Sequence, residues 1–173
     1  MRTITLKDRE ILIDDDIFPY ILNYSINKNR YVVASILGEN GKLRRVYLHR
    51  FALDFPDGII DHKNRNTLDN RVCNLRIATH SQNNANSIID KTNTSGFKGV
   101  SFDGKRWRAQ IRCMGQYKSK YFKTPEAAAR QYDVWAAEFW GEFAWLNFEE
   151  SRPKPKSTVY RGKLRREEDL DDL

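Results

Sequence analysis

The residues with chemistry to offer are packed into one stretch, 61–86, reading DHKNRNTLDNRVCNLRIATHSQNNAN. An Asp-His pair and a run of asparagines fall there, more imidazole and amide than a packed core hides cheaply, because each buried polar group needs a partner. Such a stretch is a site or a loop, and its layout favours a site. Asp61 and His62 end a short β-type run, Gly58-Ile59-Ile60, and a polar turn follows. Asn74 opens a second apolar run, Leu75-Arg76-Ile77-Ala78, and Ser81 is placed to N-cap a helix carrying Asn83. Two strand-like arms and a helix would then bring Asp61, His62, Asn74 and Asn83 to one point.

That order, Asp61-His62, Asn70, Asn74-Leu75-Arg76 and Gln82-Asn83-Asn84, closely resembles the HNH endonucleases, the ββα-metal nucleases. The match is to the variant, common among homing endonucleases, whose third motif residue is Asn. The resemblance makes His62 the general base, Asn74 the residue that orients it, and Asp61 with Asn83 the metal ligands. Elementary chemistry agrees. Phosphodiester hydrolysis needs a water deprotonated near neutral pH, and an unperturbed His titrates at about 6.5. It also needs a cation at the scissile phosphate. A carboxylate with an amide carbonyl is an oxygen-only pair that suits Mg²⁺, or Mn²⁺, and does not suit Zn²⁺.

Two neighbouring positions stay open. The family usually has Gly where this chain has Arg65. Arg lacks glycine's freedom at positive φ, so either the turn is reshaped or the guanidinium is recruited to a DNA phosphate. His49, in the segment Leu48-His49-Arg50, also resembles the residues that precede the motif in that family. It is either a phosphate or metal contact or a histidine hydrogen-bonded within the fold.

The elements that must hold these side chains read as short strands. Thr3–Leu6 and Ile11–Ile13 are β-type runs, the acidic run 14–16 is placed to open a helical turn, and 31–37 faces 43–48 across Gly38-Glu39-Asn40-Gly41 as a hairpin. Both faces of that hairpin carry apolar groups, so it is expected to be covered on both sides. The helix from Ser81 ends near Asn86 or runs on as far as Ile89. In either case the nuclease part is expected to span 1–90, with 91–95 a linker by composition.

Residues 96–148 have a separate signature. Strands are expected over 97–102, 106–112 and 116–122, and then a helix with Thr124 as N-cap, Pro125 as first residue and Glu126 at the positive end of its dipole. In the second strand Trp107, Ala109 and Ile111 alternate with Arg106, Arg108, Gln110 and Arg112, one apolar face and one cationic. From 96 to 123, eight cationic side chains stand against the single acid Asp103, a repulsive face that calls for an anionic partner. The runs FKGVSFD, RWRAQI, YFKTPEAAARQYD and GEFAWLNF together resemble the Apetala/ethylene-response-factor DNA-binding domain, which implies a three-stranded sheet lying in the major groove. The plant family has Arg and Glu where this chain has Ser101 and Gln110, so its base preference does not transfer. The DNA contacts expected here are Lys98, Ser101, Arg106, Arg108, Gln110, Arg112 and Lys118, with Arg65 from the first part. Few aromatics are expected on this face, which makes it a poor platform for stacking single-stranded RNA.

The remaining composition is consistent with this picture. The chain has 173 residues and a net charge of +7, which points to a polyanionic partner. Its two cysteines, Cys73 and Cys113, form no CxxC pair and fit a reducing cytosol, that of a phage-infected host or a nucleoid. Neither a signal peptide nor a membrane span is visible. Residues 149–173 are charged and expected to be a disordered tail. The fold class expected is α+β: a ββα-metal nuclease module preceded by β-hairpins and followed by a three-stranded antiparallel sheet packed on one helix. The function expected is a monomeric, Mg²⁺-dependent homing-type endonuclease of duplex DNA from a mobile element. The alternative is a DNA-binding regulator or mobile-element remnant that no longer cuts.

Overall fold

The structure, a computed structural model, describes residues 2–38 and 40–151. Most of the charged tail therefore lies outside the described residues. The architecture is mixed α/β, with several small antiparallel sheets and few helices, and the chain divides after Ile77 into two compact units. The division falls ahead of the 91–95 stretch that composition marks as a linker.

In the first unit β1 (Arg2–Leu6) and β2 (Arg9–Ile13) form an antiparallel hairpin. A three-stranded sheet follows, β3 (Asn23–Ile26), β4 (Val32–Leu37) and β5 (Leu43–Tyr47), with β4 central. Only one face of the β4–β5 hairpin reaches the core. Val32, Ala34 and Ile36 are buried there with Ile4, Ile11, Ile13 and Leu48, while Leu37 and Leu43 stand exposed. The opposite face pairs Ser35 with Arg45 and Val33 with Tyr47, polar enough that an antiparallel sheet can leave it to solvent. The acidic run opens a turn, Ile17 N–H donating to the Asp14 carbonyl at 3.3 Å, that leads into a 3-10 helix at Phe18–Tyr20, and the Asp14 carboxylate accepts from the Val72 backbone N–H at 2.7 Å.

After β5 come α1 (Leu48–Ala52), β6 (Ile59–His62) and β7 (Leu75–Ala78), the last two forming their own sheet. The N-terminal hairpin clamps the loop between them. Leu12 donates to the Leu68 carbonyl at 2.9 Å and accepts from the Asn70 N–H at 2.8 Å, and the Thr67 hydroxyl donates to the Arg30 carbonyl at 2.8 Å.

The second unit carries α2 (His80–Ala85), β8 (Val100–Phe102), β9 (Trp107–Cys113), β10 (Gln116–Phe122) and α3 (Pro125–Trp140), with sheet order β10-β9-β8. The strand expected over 97–102 begins only at Val100, because Ser95 and Asn93 fold the preceding residues into a turn. Thr124 caps α3, its hydroxyl accepting from Ala127 N–H at 3.2 Å. The helix buries Ala128, Ala129, Tyr132 and Ala136 against Val100, Ala109 and Ile111. Gly99, at φ +72, has no alternative: an added Cβ would lie 2.0 Å from the Tyr132 ring. Buried Asp133 accepts from Asn147 and Phe148 backbone N–H groups at 2.8 and 3.0 Å and so fastens the closing segment to α3.

Candidate active site

Asp61 and His62 finish β6 and are both buried, as are Asp69, Asn70 and Asn74 in the loop that follows. The loop is held from both ends. Lys63 N–H donates to the Asn74 carbonyl and Arg65 N–H to the His62 carbonyl, each at 2.8 Å. Inside it the Asn74 amide spans the turn, Nδ2 donating to the Asp69 carbonyl at 2.8 Å and Oδ1 accepting from Asn64 N–H at 3.1 Å. Asn74 therefore braces the loop that follows His62, and Asn70 is the amide whose influence on the imidazole opposes burial.

Burial favours the neutral form of His62. Burial lowers its pKa below the usual imidazole value, opposed by the Asn70 hydrogen bond and by the charges of Asp61 and Asp69. The Asp61 carboxylate is gripped by Arg76, whose Nε and Nη2 lie 2.8 and 2.7 Å from Oδ2. Burial alone would raise the Asp69 carboxyl, yet it lies below its ordinary range because Arg71 forks onto both oxygens at 2.7 Å and Asn64 adds a third bond. Asp69, Asn70 and Arg71 had no assigned role in the sequence reading. Asn70 stands in the motif order, whereas the only signal for Asp69 and Arg71 is membership of the polar turn.

Arg65 sits at φ 62. The turn is thus not reshaped; the Arg adopts the left-handed conformation itself, at a steric cost of about 1–2 kcal/mol. His49, on α1, packs its ring 5.4 Å from that of His62, 5.3 Å from Tyr31 and 5.5 Å from Tyr47.

Asn83 lies on α2, in the second unit. The cap of α2 is Thr79 and not Ser81: the Thr79 hydroxyl accepts from Gln82 N–H at 3.2 Å, and the Gln82 carboxamide returns a bond to Thr79 N–H at 2.8 Å, a capping box. Ser81 is engaged elsewhere, its hydroxyl accepting from Trp140 Nε1 at 3.1 Å. The helix stops at Ala85, where Asn86 takes the cap.

On the sheet of the second unit the register sorts the expected DNA contacts. Ser101 lies opposite Arg108, Gln110 opposite Ser119 and Arg112 opposite Tyr117, all on the face turned from α3. Lys118 is corrected: it lies opposite buried Ile111, on the helix side, with Nζ 2.9 Å from both Glu138 oxygens. Lys98 is corrected as well, since its Nζ donates to the Ala85 and Ser87 carbonyls and closes the end of α2. The outer face also carries aromatics that the sequence reading missed. Tyr117 and Tyr121 are half exposed there, with the Arg112 and Arg106 guanidinium carbons 5.6 and 4.5 Å from their ring centroids. The rings were overlooked because β10 was counted for its lysines, whereas opposite partners in an antiparallel pair share a face.

Comparison with known proteins decides the family. The HNH endonuclease family model matches residues 54–85, which hold β6, the loop, β7 and α2. An uncharacterised HNH endonuclease of Acanthamoeba polyphaga mimivirus is 33% identical over 134 residues, covering 75% of this chain and 70% of that protein. The chain belongs to the HNH endonuclease family. A second relative, protein 3.8 of Escherichia phage T7, is 39% identical over 59 residues, 33% of this chain and 49% of its own length. No solved structure matches.

For an HNH family member the donor set bears on the cation. Among the described residues no three His, Cys, Asp or Glu side chains group so as to hold a metal ion. The Asp61 carboxylate and asparagine amides offer oxygen alone, a set that fits Mg²⁺ or Mn²⁺ completed by water and phosphate and does not fit a zinc cage.

Proposed function

We propose that this HNH protein is a divalent-metal-dependent endonuclease hydrolysing phosphodiester bonds in double-stranded DNA, with the ββα-metal centre that the family resemblance implies. The observation that carries the reading is a buried, neutral His62 beside Asp61 at the head of a loop tied by Asn74. A buried imidazole below its usual pKa is ready to accept a proton at neutral pH, which is what an attacking water must lose. Asp61 would hold the cation, its carboxylate fixed by Arg76, and Asn83 is assigned as second ligand on motif order alone. Once bound, Mg²⁺ or Mn²⁺ supplies neutralisation of the charge that develops on the leaving oxygen.

The outer face of β8–β10 is proposed to read the major groove, as the Apetala/ethylene-response-factor resemblance implies. Its support is the row Arg108, Gln110 and Arg112, with the Arg112 guanidinium braced on Tyr117 and that of neighbouring Arg106 on Tyr121. Those rings are already covered by cations, which favours duplex reading over stacking of single strands. The combination fits a homing-type enzyme of a mobile element. Incubation with plasmid DNA and Mg²⁺ should yield nicked or linear product, EDTA should stop it, and Mn²⁺ should restore it. Cleavage after exhaustive chelation would remove the metal from the proposal, and binding without cleavage would favour the regulator reading.

A further inference from the structure

We propose that His49 is a second imidazole of the same centre, donating a hydrogen bond from Nε2 to a non-bridging oxygen of the scissile phosphate. The inference rests on the nuclease reading above and extends it to a residue on a different element. His49 belongs to α1, outside the 54–85 match, yet its ring meets that of His62 edge-on at 5.4 Å and 74°. Tyr31 touches both histidines, at 5.3 and 6.1 Å. Arg50 makes the placement rigid, since its guanidinium donates to the Pro56 and Gly58 carbonyls and so staples α1 to the residues that lead into β6.

The cluster asks for an aromatic ring at position 49, and Phe would satisfy it. His satisfies it at a cost, because Nδ1 is buried without a protein hydrogen-bond partner. A polar atom kept in such a place is explained when the other end of the ring has a use. An unpaired buried N–H is rarer than an unpaired acceptor, so the favoured tautomer carries its proton on Nε2 as a donor. Burial first, and then the charges of His62 and Arg50, push the His49 pKa down to about 4. The ring therefore stays neutral, adding no positive charge beside the base and leaving His62 free to take the proton from water.

The test compares His49→Phe, which keeps the ring and loses both nitrogens, with His49→Gln, which keeps an N–H donor, and includes His62→Ala as control. Single-turnover plasmid cleavage in Mg²⁺, equilibrium DNA binding without metal, and thermal melting are measured for each. The Phe variant should melt no lower than wild type, bind DNA equally and cleave about 10²–10³-fold more slowly, the loss typical of one transition-state donor. The Gln variant should recover most of that rate. Wild-type cleavage by His49→Phe overturns the proposal, as does a Gln variant no faster than Phe. A Phe defect erased by raising Mg²⁺ would make His49 a metal ligand and also overturn it. Undiminished cleavage by His62→Ala would instead sink the nuclease assignment itself, whatever His49 shows.

Discussion

Asn74 bridges to Asn64 across the loop that starts just past His62, its Oδ1 accepting the Asn64 backbone N–H at 3.1 Å while its Nδ2 holds the Asp69 carbonyl at 2.8 Å. The middle residue of the motif is thus a brace for the loop that follows His62. It needs an amide because one side must accept and the other donate.

Asn74→Ala should therefore cost stability and rate together. Two backbone groups, Asn64 N–H and the Asp69 carbonyl, lose their partners, worth about 1–3 kcal/mol, and the loop that follows His62 loses its brace. Asn74→Asp keeps the acceptor and loses the donor, so its cleavage should also fall. Denaturant unfolding paired with cleavage rates checks this, and an Ala variant of normal stability and rate would show that the brace is dispensable.

Arg76→Ala should be the most damaging change near Asp61. Both partners are nearly inaccessible, with side-chain exposures of 11% and 6%, and breaking such a pair leaves a buried carboxylate uncompensated, a loss of about 3–5 kcal/mol. Arg76→Lys keeps the charge but not the two-nitrogen grip and should fall between. Melting temperatures of the three proteins give the order.

Acid should loosen the first unit. His49 titrates near 4 when folded against an ordinary 6.5, and His62 is shifted the same way by burial. The unfolded chain binds these protons more readily, so stability is full above about pH 6.5, declines as pH falls from there toward 4, and gains no further slope from His49 below that. Unfolding free energy measured across this window should flatten in His49→Phe, and an unchanged slope would contradict the assignment.

DNA reading should separate the two sides of the β8–β10 sheet. Arg112→Ala removes an exposed cation from the outer face and should weaken preferred sites by about 1–3 kcal/mol more than others. Lys118→Ala removes a partner of Glu138 on the helix side and should leave affinity and its salt dependence as they are. A drop of about one unit in the salt slope for Lys118→Ala would put that lysine on a phosphate after all.

Local pattern carried much of this organisation. The β4–β5 hairpin, β9, β10 and the start of α3 follow two-residue alternation, Gly punctuation and the Thr124-Pro125 cap, all of which act over a few residues. What escaped was decided by partners distant in sequence. Thr79 and Ser81 are equally good caps by type, and Ser81 is spoken for by Trp140, far along the chain. Lys118 looks like a phosphate contact until register sets it over α3. The clamp of Leu12 and Asp14 on the motif loop rests on backbone groups and a lone carboxylate, which no local spacing announces. The ring cluster at His49 likewise needs the fold of α1 against β6.

The central claim is that His62 is the base, and single-turnover cleavage by His62→Ala in Mg²⁺ tests it most directly. The account predicts a rate about 10²–10⁴-fold below wild type, with DNA binding and melting essentially unchanged. Cleavage at the wild-type rate by a folded His62→Ala protein would contradict it.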